Sequence, residues 1–454
     1  MITVQEIHKN YCIGCGVCAS VVNTQLKLNN RGMYKPNFED ISIEDAEKVL
    51  KICPFSSKIQ NEDQIAKHLF SSKNQINNEF IGFYLQNYVG HVIDNGTRSL
   101  SSSGGIISYI LTKLLESNKI SHAIHVRNSD SNGIIFKYKL SKTTEEIFEG
   151  ASSKYYPVEL SEVLDYISKN KGSFALVALP CYVKSIRLLQ QQKLIFKERI
   201  KFIISPVCGH LKTANYAKFL ALQKGIDPDK ITHVNFRKKI SDQLASNYAT
   251  EFTILDNETE TKKTFANTSF KMGTDWGHGM FKNPVCDFCD DIFGELADVS
   301  VGDAWLKEYL NDNKGNSVII NRNDFISELL TEGELNDKLY LDKVNPTDVI
   351  RSQGGGIRNK RDDLKYRLWI KEKKGEKYPI KRMKPSSSHL SLKRKALIKY
   401  RIKISNISHS LYVKAKEKND INIYYKKINR LLQYYSLINK GIIKYIIYKI
   451  KRVL

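Results

Sequence analysis

Three cysteines near the start of the chain constrain its fold most. Cys12, Cys15 and Cys18 follow C-x₂-C-x₂-C spacing, with Gly14 and Gly16 between them. A loop this short turns three thiolates toward one point only if its backbone curls tightly, which the two glycines allow. The spacing is typical of the loop that opens a bacterial 4Fe–4S motif.

The fourth ligand of that motif is displaced along the sequence. Ala19 follows the triplet directly, and the next cysteine is Cys53, which precedes Pro54. Because a Cys-Pro pair normally closes such a motif, we predict that one 4Fe–4S cluster is held by Cys12, Cys15, Cys18 and Cys53. A structural zinc site and scattered free thiols are the alternatives, but zinc sites favour paired C-x₂-C arms.

The other four cysteines suggest a second site. Cys181 and Cys208 each follow a continuous apolar run that is typical of a buried strand, and Cys286 and Cys289 form a C-x₂-C arm. In open α/β sheets, ligands gather outside the carboxyl ends of the strands. We predict that these four cysteines hold a second 4Fe–4S cluster. A zinc site is one alternative, and a buried thiol or nucleophile at Cys181 or Cys208 is another.

Length and composition set broad limits on the protein. A chain of 454 residues, 41% of them hydrophobic, is expected to form two or three domains with a sizeable core. Eight cysteines are too few for a disulfide scaffold of this size. The sequence shows neither a secretory leader nor an apolar run of about 18 residues. A cytoplasmic location is therefore expected.

The formal charge of +23 is concentrated at one end of the chain. Residues 357–454 contain 29 basic and 6 acidic residues, whereas residues 1–356 contain 42 of each. Near the end, Ile443, Ile446, Ile447 and Ile450 fall on one face of a projected basic helix. This pattern predicts docking on an anionic membrane surface, peripherally on the inner face. A helix packed on the body is the alternative, and the absence of a recognised binding fold argues against nucleic acid.

A serine–glycine segment is the clearest candidate for a phosphate contact. Ser101, Ser102, Ser103, Gly104 and Gly105 lie between a predicted strand and a predicted helix. Glycines allow close backbone approach, hydroxyls donate hydrogen bonds, and a helix N-terminus supplies partial positive charge. Arg98 would add charge beside a diphosphate. The alternative is an ordinary loop that caps the helix.

The order of several motifs resembles one known family. The motifs are the cysteine triplet, the segment at 101–105, Ser-Ser-Lys-Tyr at 152–155, Leu-Pro-Cys at 179–181, the C-x₂-C arm and GELADVSVGDAW at 294–305. Their order resembles the beta subunit family of coenzyme F-420 hydrogenases and dehydrogenases, whose members are iron–sulfur flavoproteins. The resemblance implies an oxidoreductase that binds FAD and relays electrons through 4Fe–4S clusters.

The resemblance also implies roles for individual residues. It places the flavin at the segment 101–105 and makes Lys154 a candidate contact for its phosphate or ring. Asp303 and Trp305 become candidates for the wall of the site. No residue is identified as catalytic, because the reaction chemistry belongs to the cofactors.

These observations predict a mixed α+β or α/β protein with a mostly parallel core sheet. A ferredoxin-like cluster domain spans residues 1–58, and a linker spans 59–80. An α/β domain with the flavin and the second cluster spans 81–356, and a basic helical extension spans 357–454.

The predicted function is electron transfer between the clusters, a flavin and an unidentified substrate. The partner is expected to be a redox protein such as a ferredoxin-like donor, or a deazaflavin coenzyme or another small molecule. One alternative is an electron-transfer adaptor that carries clusters but has no substrate site. A less favoured alternative is a zinc-stabilised nucleic-acid-binding protein.

Overall fold

The computed structural model describes residues 2–71, 75–131 and 133–441. Its strands are β1 (Leu26–Leu28), β2 (Tyr34–Pro36), β3 (Ile76–Asn78), β4 (Gly82–Tyr84), β5 (Gln86–Val92), β6 (His122–Asn128), β7 (Phe136–Ser141), β8 (Phe174–Val177), β9 (Ile200–Pro206), β10 (Ile231–Lys239), β11 (Tyr248–Asp256), β12 (Thr259–Ala266), β13 (Val299–Asp303), β14 (Ser317–Asn321) and β15 (Leu339–Val344). Its α-helices are α1 (Val4–Glu6), α2 (Ile43–Ile52), α3 (Glu62–Phe70), α4 (Asn95–Leu100), α5 (Ile106–Glu116), α6 (Thr144–Glu149), α7 (Ser161–Lys169), α8 (Pro180–Gln192), α9 (Leu194–Arg199), α10 (Asn215–Leu222), α11 (Asp324–Leu335), α12 (Pro346–Ser352), α13 (Gly354–Lys360), α14 (Asp362–Lys373), α15 (Leu392–Glu417) and α16 (Asn422–Lys440).

An eight-stranded mixed sheet forms the centre of the fold, in the order β15-β5-β14-β13-β9-β8-β6-β7. The strands β13, β9, β8 and β6 are parallel to one another, and antiparallel pairs flank them on both sides. The predicted mixed fold class is confirmed. The antiparallel share is larger than predicted, because β14 returns beside β13 without the crossover that a parallel pair needs.

The middle strands are buried on both faces, which explains their continuous apolar runs. Successive residues of β8 pack into different cores. Ala175 joins the core that includes α5, and Leu176 joins the core that includes α8. A three-stranded antiparallel sheet, β10-β11-β12, lies beside this body.

The parallel strands bring distant residues to one edge of the sheet. Cys181 follows β8 at the start of α8, Cys208 follows β9, and Asp303 ends β13. Carboxyl ends of parallel neighbours lie at the same edge, where α/β proteins bind their ligands. The candidate site lies at this edge.

A helix in the N-terminal segment leads directly to Cys53. The Ser42 side chain accepts a hydrogen bond from the Asp45 backbone and caps α2. Cys53 follows the last residue of α2, and its backbone N–H donates to Val49 O. The helix therefore fixes the position of Cys53.

The segment predicted to be a linker contains α3, which packs on the body. Ile65, Ala66 and Phe70 of this helix are buried. Glu62 at its start is also buried and lies 3.1 Å from Lys184 Nζ.

The two long C-terminal helices cover part of the body. The Tyr424 ring of α16 stacks on Phe281 at 5.9 Å and contacts Phe219 at 4.5 Å. Buried residues of α15 pack into the same core. The predicted membrane face at Ile443, Ile446, Ile447 and Ile450 lies outside the described residues. Within the described residues, no helix combines the length and the apolar character needed to cross a bilayer.

Candidate functional site

A cavity of about 290 Å³ opens at the carboxyl edge of β8, β9 and β13. It is lined by residues from several separate segments, mainly 101–108, 150–158, 177–179, 206–212 and 301–303. The serines at 101–103, Gly105, Lys154 and Asp303 all contribute to this lining, together with Cys208. The structure therefore brings most of the predicted flavin residues to one cavity, beside one of the predicted cluster ligands.

The N-terminus of α5 faces this cavity. Gly105 precedes the helix in the left-handed conformation, with φ of 83°, and among the described residues no side chain caps the helix. Gly105, Ile106 and Ile107 all line the cavity. Backbone N–H groups without helical partners, together with the helix dipole, favour a bound anion. This end of the cavity suits a diphosphate.

The serine hydroxyls hold the segment in place. Ser103 Oγ donates to Asn316 O at 2.6 Å, and Ser101 Oγ donates to a carbonyl one turn earlier. Ser102 Oγ accepts a hydrogen bond of 2.6 Å from the backbone of Ser153. Since these hydroxyls have protein partners, the backbone N–H groups of α5 are the better candidates for contacting an anion.

Three of the predicted residues, Arg98, Gly104 and Trp305, do not line the main cavity. A Cβ at Gly104 would lie 2.5 Å from Gly90 O, so Gly104 allows the segment to pack on β5. The guanidinium of Arg98 donates to Gly315 O and pairs with Asp312. Arg98 thus fastens α4 to the loop before β14.

Lys154 shapes a part of the cavity wall beside the serine segment. Its buried amine donates to the carbonyls of Gly150 at 2.6 Å and Ser152 at 2.9 Å, and also to that of Ala151. Ser152 has a φ of 75°, a conformation rare for a non-glycine residue. Burial lowers the pKa of Lys154 to about 7. The amine therefore organises a tight turn at the cavity and titrates near neutrality.

Asp303 is held by an arginine that the sequence did not single out. Both carboxylate oxygens accept hydrogen bonds of 3.0 Å from Arg237. The guanidinium carbon of Arg237 lies 4.3 Å from the Tyr248 ring centre and 5.4 Å from that of Trp305. Trp305 lines a small adjoining pocket behind Asp303 and Ser102. Asp303 thus separates the main cavity from this pocket.

Another part of the cavity wall is aromatic and basic. The ring centroids of His210 and Trp276 are 4.4 Å apart, with the rings tilted by 47°. Lys212 Nζ lies 4.8 Å from the Trp276 ring centroid and donates to Met280 O at 2.7 Å. Burial, and then Lys282, lower the pKa of Lys212 to about 7. This part offers aromatic faces beside a cation, which suit a planar ring system.

The first quartet, Cys12, Cys15, Cys18 and Cys53, lines a separate cavity of about 40 Å³. Gly14 and Gly16 adopt left-handed φ values of 77° and 80°, so the loop curls as predicted. Burial raises the pKa of Cys18 well above its usual value, and the other three thiols raise it further. Such mutual effects require the four sulfurs to be close together.

The second quartet, Cys181, Cys208, Cys286 and Cys289, is also grouped. Burial raises the pKa of Cys181 well above its usual value, and the other three thiols add to the shift. Cys286 Sγ accepts a hydrogen bond of 3.3 Å from the backbone of Leu211. Because Cys208 also lines the main cavity, this quartet borders the candidate flavin site.

Comparison with known proteins identifies the family. Residues 87–165 match the family model for the N-terminal part of the coenzyme F420 hydrogenase/dehydrogenase beta subunit, and residues 172–347 match the model for its C-terminal part. The chain belongs to this family. The F420 hydrogenase/dehydrogenase family places it among the oxidoreductases, which confirms the resemblance found in the sequence.

Individual relatives are distant. A coenzyme F420-dependent sulfite reductase of Methanocaldococcus jannaschii is 23% identical over 255 residues, which cover 53% of this chain and 36% of that protein. The chain therefore matches only about a third of the length of that curated relative. A chain of the F420-reducing [NiFe] hydrogenase complex from Methanosarcina barkeri, solved as a xenon derivative, aligns with a TM-score of 0.48 and 13% identity, over 69% of this chain and all of that one.

The family match does not include every part of the candidate site. It contains the main cavity and the second quartet, whereas the first quartet precedes it and α13 and α14 follow it. The first quartet, α13 and α14 therefore lie outside the part of the chain that the family models match.

The four thiols of each quartet form a donor set that a 4Fe–4S cluster could use. Among the described residues, no three His, Cys, Asp or Glu side chains lie close enough to bind one metal ion. A cubane cluster occupies the space between its four thiolates, so its ligands need not meet at one point. Ligation requires thiolates, and the positive charge of bound iron would offset the raised pKa values.

Three residues of the site were not indicated by the sequence. Arg237 lies on β10 and lines the small adjoining pocket, Lys212 follows β9, and Trp276 begins a short 3-10 helix. No motif surrounds them, and only the folding of separate segments places them together. The one usable signal was the position of Lys212 just after a buried strand.

Proposed function

We propose that this chain is an iron–sulfur flavoprotein that binds FAD in the main cavity and one 4Fe–4S cluster in each cysteine quartet. One observation carries the proposal: Cys208 and the uncapped N-terminus of α5 line the same cavity. The proposed cluster ligand and the proposed anion site thus line one cavity. FAD bound there would supply the conversion between two-electron hydride chemistry and single-electron transfer.

The protein groups have distinct tasks in this proposal. The backbone at Gly105–Ile107 binds the diphosphate through N–H groups and the helix dipole. Lys154 and Lys212 add positive charge to the cavity wall. Trp276 and His210 provide the aromatic faces for a ring and exclude water from it. Asp303 is fixed by Arg237 and so keeps one orientation at the cavity wall.

The two quartets form a relay toward this cavity. The first quartet would accept or donate electrons at the surface of the protein, and the second would exchange them with the cofactor in the cavity. The partner at the first quartet is proposed to be a ferredoxin-like redox protein. The substrate at the cavity is proposed to be a deazaflavin coenzyme or another small molecule that exchanges a hydride.

Cofactor content after anaerobic purification tests the proposal. About eight iron, about eight sulfide and about one FAD per chain are expected for two cubane clusters and one flavin. Cys208→Ser should reduce the iron content while Cys12→Ser reduces it independently. An electron-transfer adaptor would contain the clusters without flavin, and that result would contradict the proposed flavin site.

A further inference from the structure

The chain continues beyond the family-matched region into a segment that packs on the second quartet. This segment, residues 354–382, is called the C-terminal strap. It contains α13, α14 and the loop that follows them. A Cβ at Gly356 would lie 2.2 Å from Ile292 Cδ1, so α13 lies directly against the chain that follows the C-x₂-C arm.

Lys360, the last residue of α13, contacts a predicted cluster ligand. Its side chain is buried, with 2% of the residue exposed. Its Nζ lies 3.3 Å from Cys289 Sγ and donates to Asp291 O at 2.7 Å. A buried ammonium group is costly unless negative charge lies nearby. The thiolate of Cys289 is the nearest group that can supply it.

Three acidic side chains around the C-x₂-C arm have other basic partners, and the carboxylate of a fourth, Asp291, accepts hydrogen bonds from the backbone of Gly294 and Glu295. Asp287 pairs with Lys282 and Arg367, Asp290 pairs with Lys381 and Arg382, and Glu295 pairs with Arg361 and Arg382. Five of these cations, Arg361, Arg367, Lys381, Arg382 and Lys360 itself, belong to the strap. The other four are paired with carboxylates, whereas among the described residues no carboxylate lies within ion-pair distance of Lys360, and its direct side-chain contact is with a sulfur of the quartet.

The first quartet lacks an equivalent contact. Lys35 reaches the backbone of this loop, where it donates to His8 O and Cys12 O. Lys184 lies near Cys53 but pairs with Glu62. Across residues 2–71, 75–131 and 133–441, no lysine or arginine donates to a sulfur of the first quartet. Lys35 also lies near Cys12 and Cys53, so the two sites differ in the direct contact of a cation with a ligand sulfur.

We propose that the C-terminal strap is part of the second cluster site and that Lys360 raises the reduction potential of the cluster held there. The inference rests on the proposed function, because it requires the second quartet to hold a cluster. Reduction adds one negative charge to a cluster, and a buried cation beside a ligand sulfur stabilises that charge. Lys360 thus acts on electron transfer indirectly, through the cluster ligand that it contacts.

This difference between the two quartets implies a direction of electron transfer between the two clusters. The second cluster should have the higher reduction potential, because its environment favours the added electron. An electron that enters at the first quartet is then passed to the second cluster, next to the main cavity. This step oxidises the first cluster and reduces the second. Electrons from a donor protein would therefore move inward.

Three variants of the full-length holoprotein test the role of Lys360. Lys360→Gln removes the charge but keeps a hydrogen-bond donor, and Lys360→Arg keeps the charge. Arg358→Gln is the matched control, since Arg358 is exposed on the same helix. Iron and sulfide are quantified first, and the midpoint potentials of both clusters are then measured by a redox titration followed by electron paramagnetic resonance.

Lys360→Gln is expected to lower the midpoint potential of one cluster and leave the other unchanged. Lys360→Arg and Arg358→Gln should remain close to the wild-type protein. If Lys360→Gln instead loses about half of the iron while Lys360→Arg retains all of it, the charge is needed to hold one of two clusters, which also supports the proposal.

Two results would overturn the inference. One is an unchanged potential in Lys360→Gln at full iron content. The other is an equal change in Lys360→Gln and Lys360→Arg, which would assign the effect to packing rather than charge. A wild-type protein with iron for only one cluster, about four atoms per chain, would instead refute the proposed second cluster itself.

Discussion

Cys181 and Ser185 lie one helical turn apart on α8, and each borders a different cysteine quartet. Cys181 belongs to the second quartet, while Ser185 lines the cavity of the first and donates to Ile52 O at 2.8 Å. Four residues of α-helix rise about 6 Å. One rigid turn therefore joins the two candidate cluster sites, and electron transfer between them needs no movement of the protein.

A negative charge placed at the N-terminus of α5 should weaken flavin binding without destabilising the fold. Ile107→Asp puts a carboxylate on the cavity wall, where it favours the helix by about 0.3–1 kcal/mol. At about 6 Å and an effective dielectric constant of about 20, it repels a diphosphate by about 3 kcal/mol. We expect roughly hundredfold weaker FAD binding, measured by fluorescence titration. The neutral variant Ile107→Asn is the control, and equal affinities in the two variants would remove α5 from the flavin site.

Lys154 should make the stability of the FAD-free protein depend on pH. Burial lowers its pKa to about 7 in the folded protein, compared with about 10.4 in an unfolded chain. Between these values the unfolded chain binds more protons, so the free energy of unfolding rises with pH from about 7 to about 10. We expect a shallower rise in Lys154→Met, measured by urea denaturation. Lys171→Met, at an exposed position, is the control and should keep the wild-type slope.

Arg237 and Asp303 should behave as a coupled pair. The Arg237 side chain is only 4% exposed, and its loss leaves the Asp303 carboxylate without its bidentate partner. Arg237→Met is expected to cost about 3 kcal/mol of unfolding free energy. The double variant Arg237→Met/Asp303→Asn should be less destabilised than the sum of the single variants, by roughly 1–3 kcal/mol. Strict additivity, measured by chemical denaturation, would show that the pair does not interact.

The predicted membrane contact of the C-terminus can be tested without disturbing the folded body. Truncation after Gly441 removes the face formed by Ile443, Ile446, Ile447 and Ile450 but keeps the C-terminal strap. Each basic residue near an anionic leaflet adds about 1 kcal/mol of binding. We expect the full chain, but not the truncated one, to sediment with anionic vesicles at low salt. A full chain that stays in the supernatant would count against membrane docking.

Local motifs made much of the fold predictable. Gly14 and Gly16 predicted a tightly curled loop at the cysteine triplet, and both adopt left-handed φ values there. The apolar runs before Cys181 and Cys208 predicted buried strands, which form as β8 and β9. These signals were readable because each depends on a few consecutive residues. The ligand assignments themselves stay predictions.

Contacts between distant segments were not predictable in the same way. Arg237 meets Asp303 across 66 positions of the sequence, and Lys360 meets Cys289 across 71. Neither basic residue stands in a motif. The C-terminal charge predicted a basic helical extension, and the sequence did not show that Arg361, Lys381 and Arg382 are buried in ion pairs with carboxylates near the second quartet. The composition gives the number of charged residues but does not show which of them form ion pairs.

An anaerobic reductive titration of the purified holoprotein tests the central claim most directly. Two 4Fe–4S clusters accept about one electron each, and a flavin accepts about two. We predict an uptake of about four electrons per chain, with bleaching of both the cluster and the flavin absorbance. An uptake of about two electrons without flavin bleaching would contradict the account and would identify the chain as an electron-transfer adaptor.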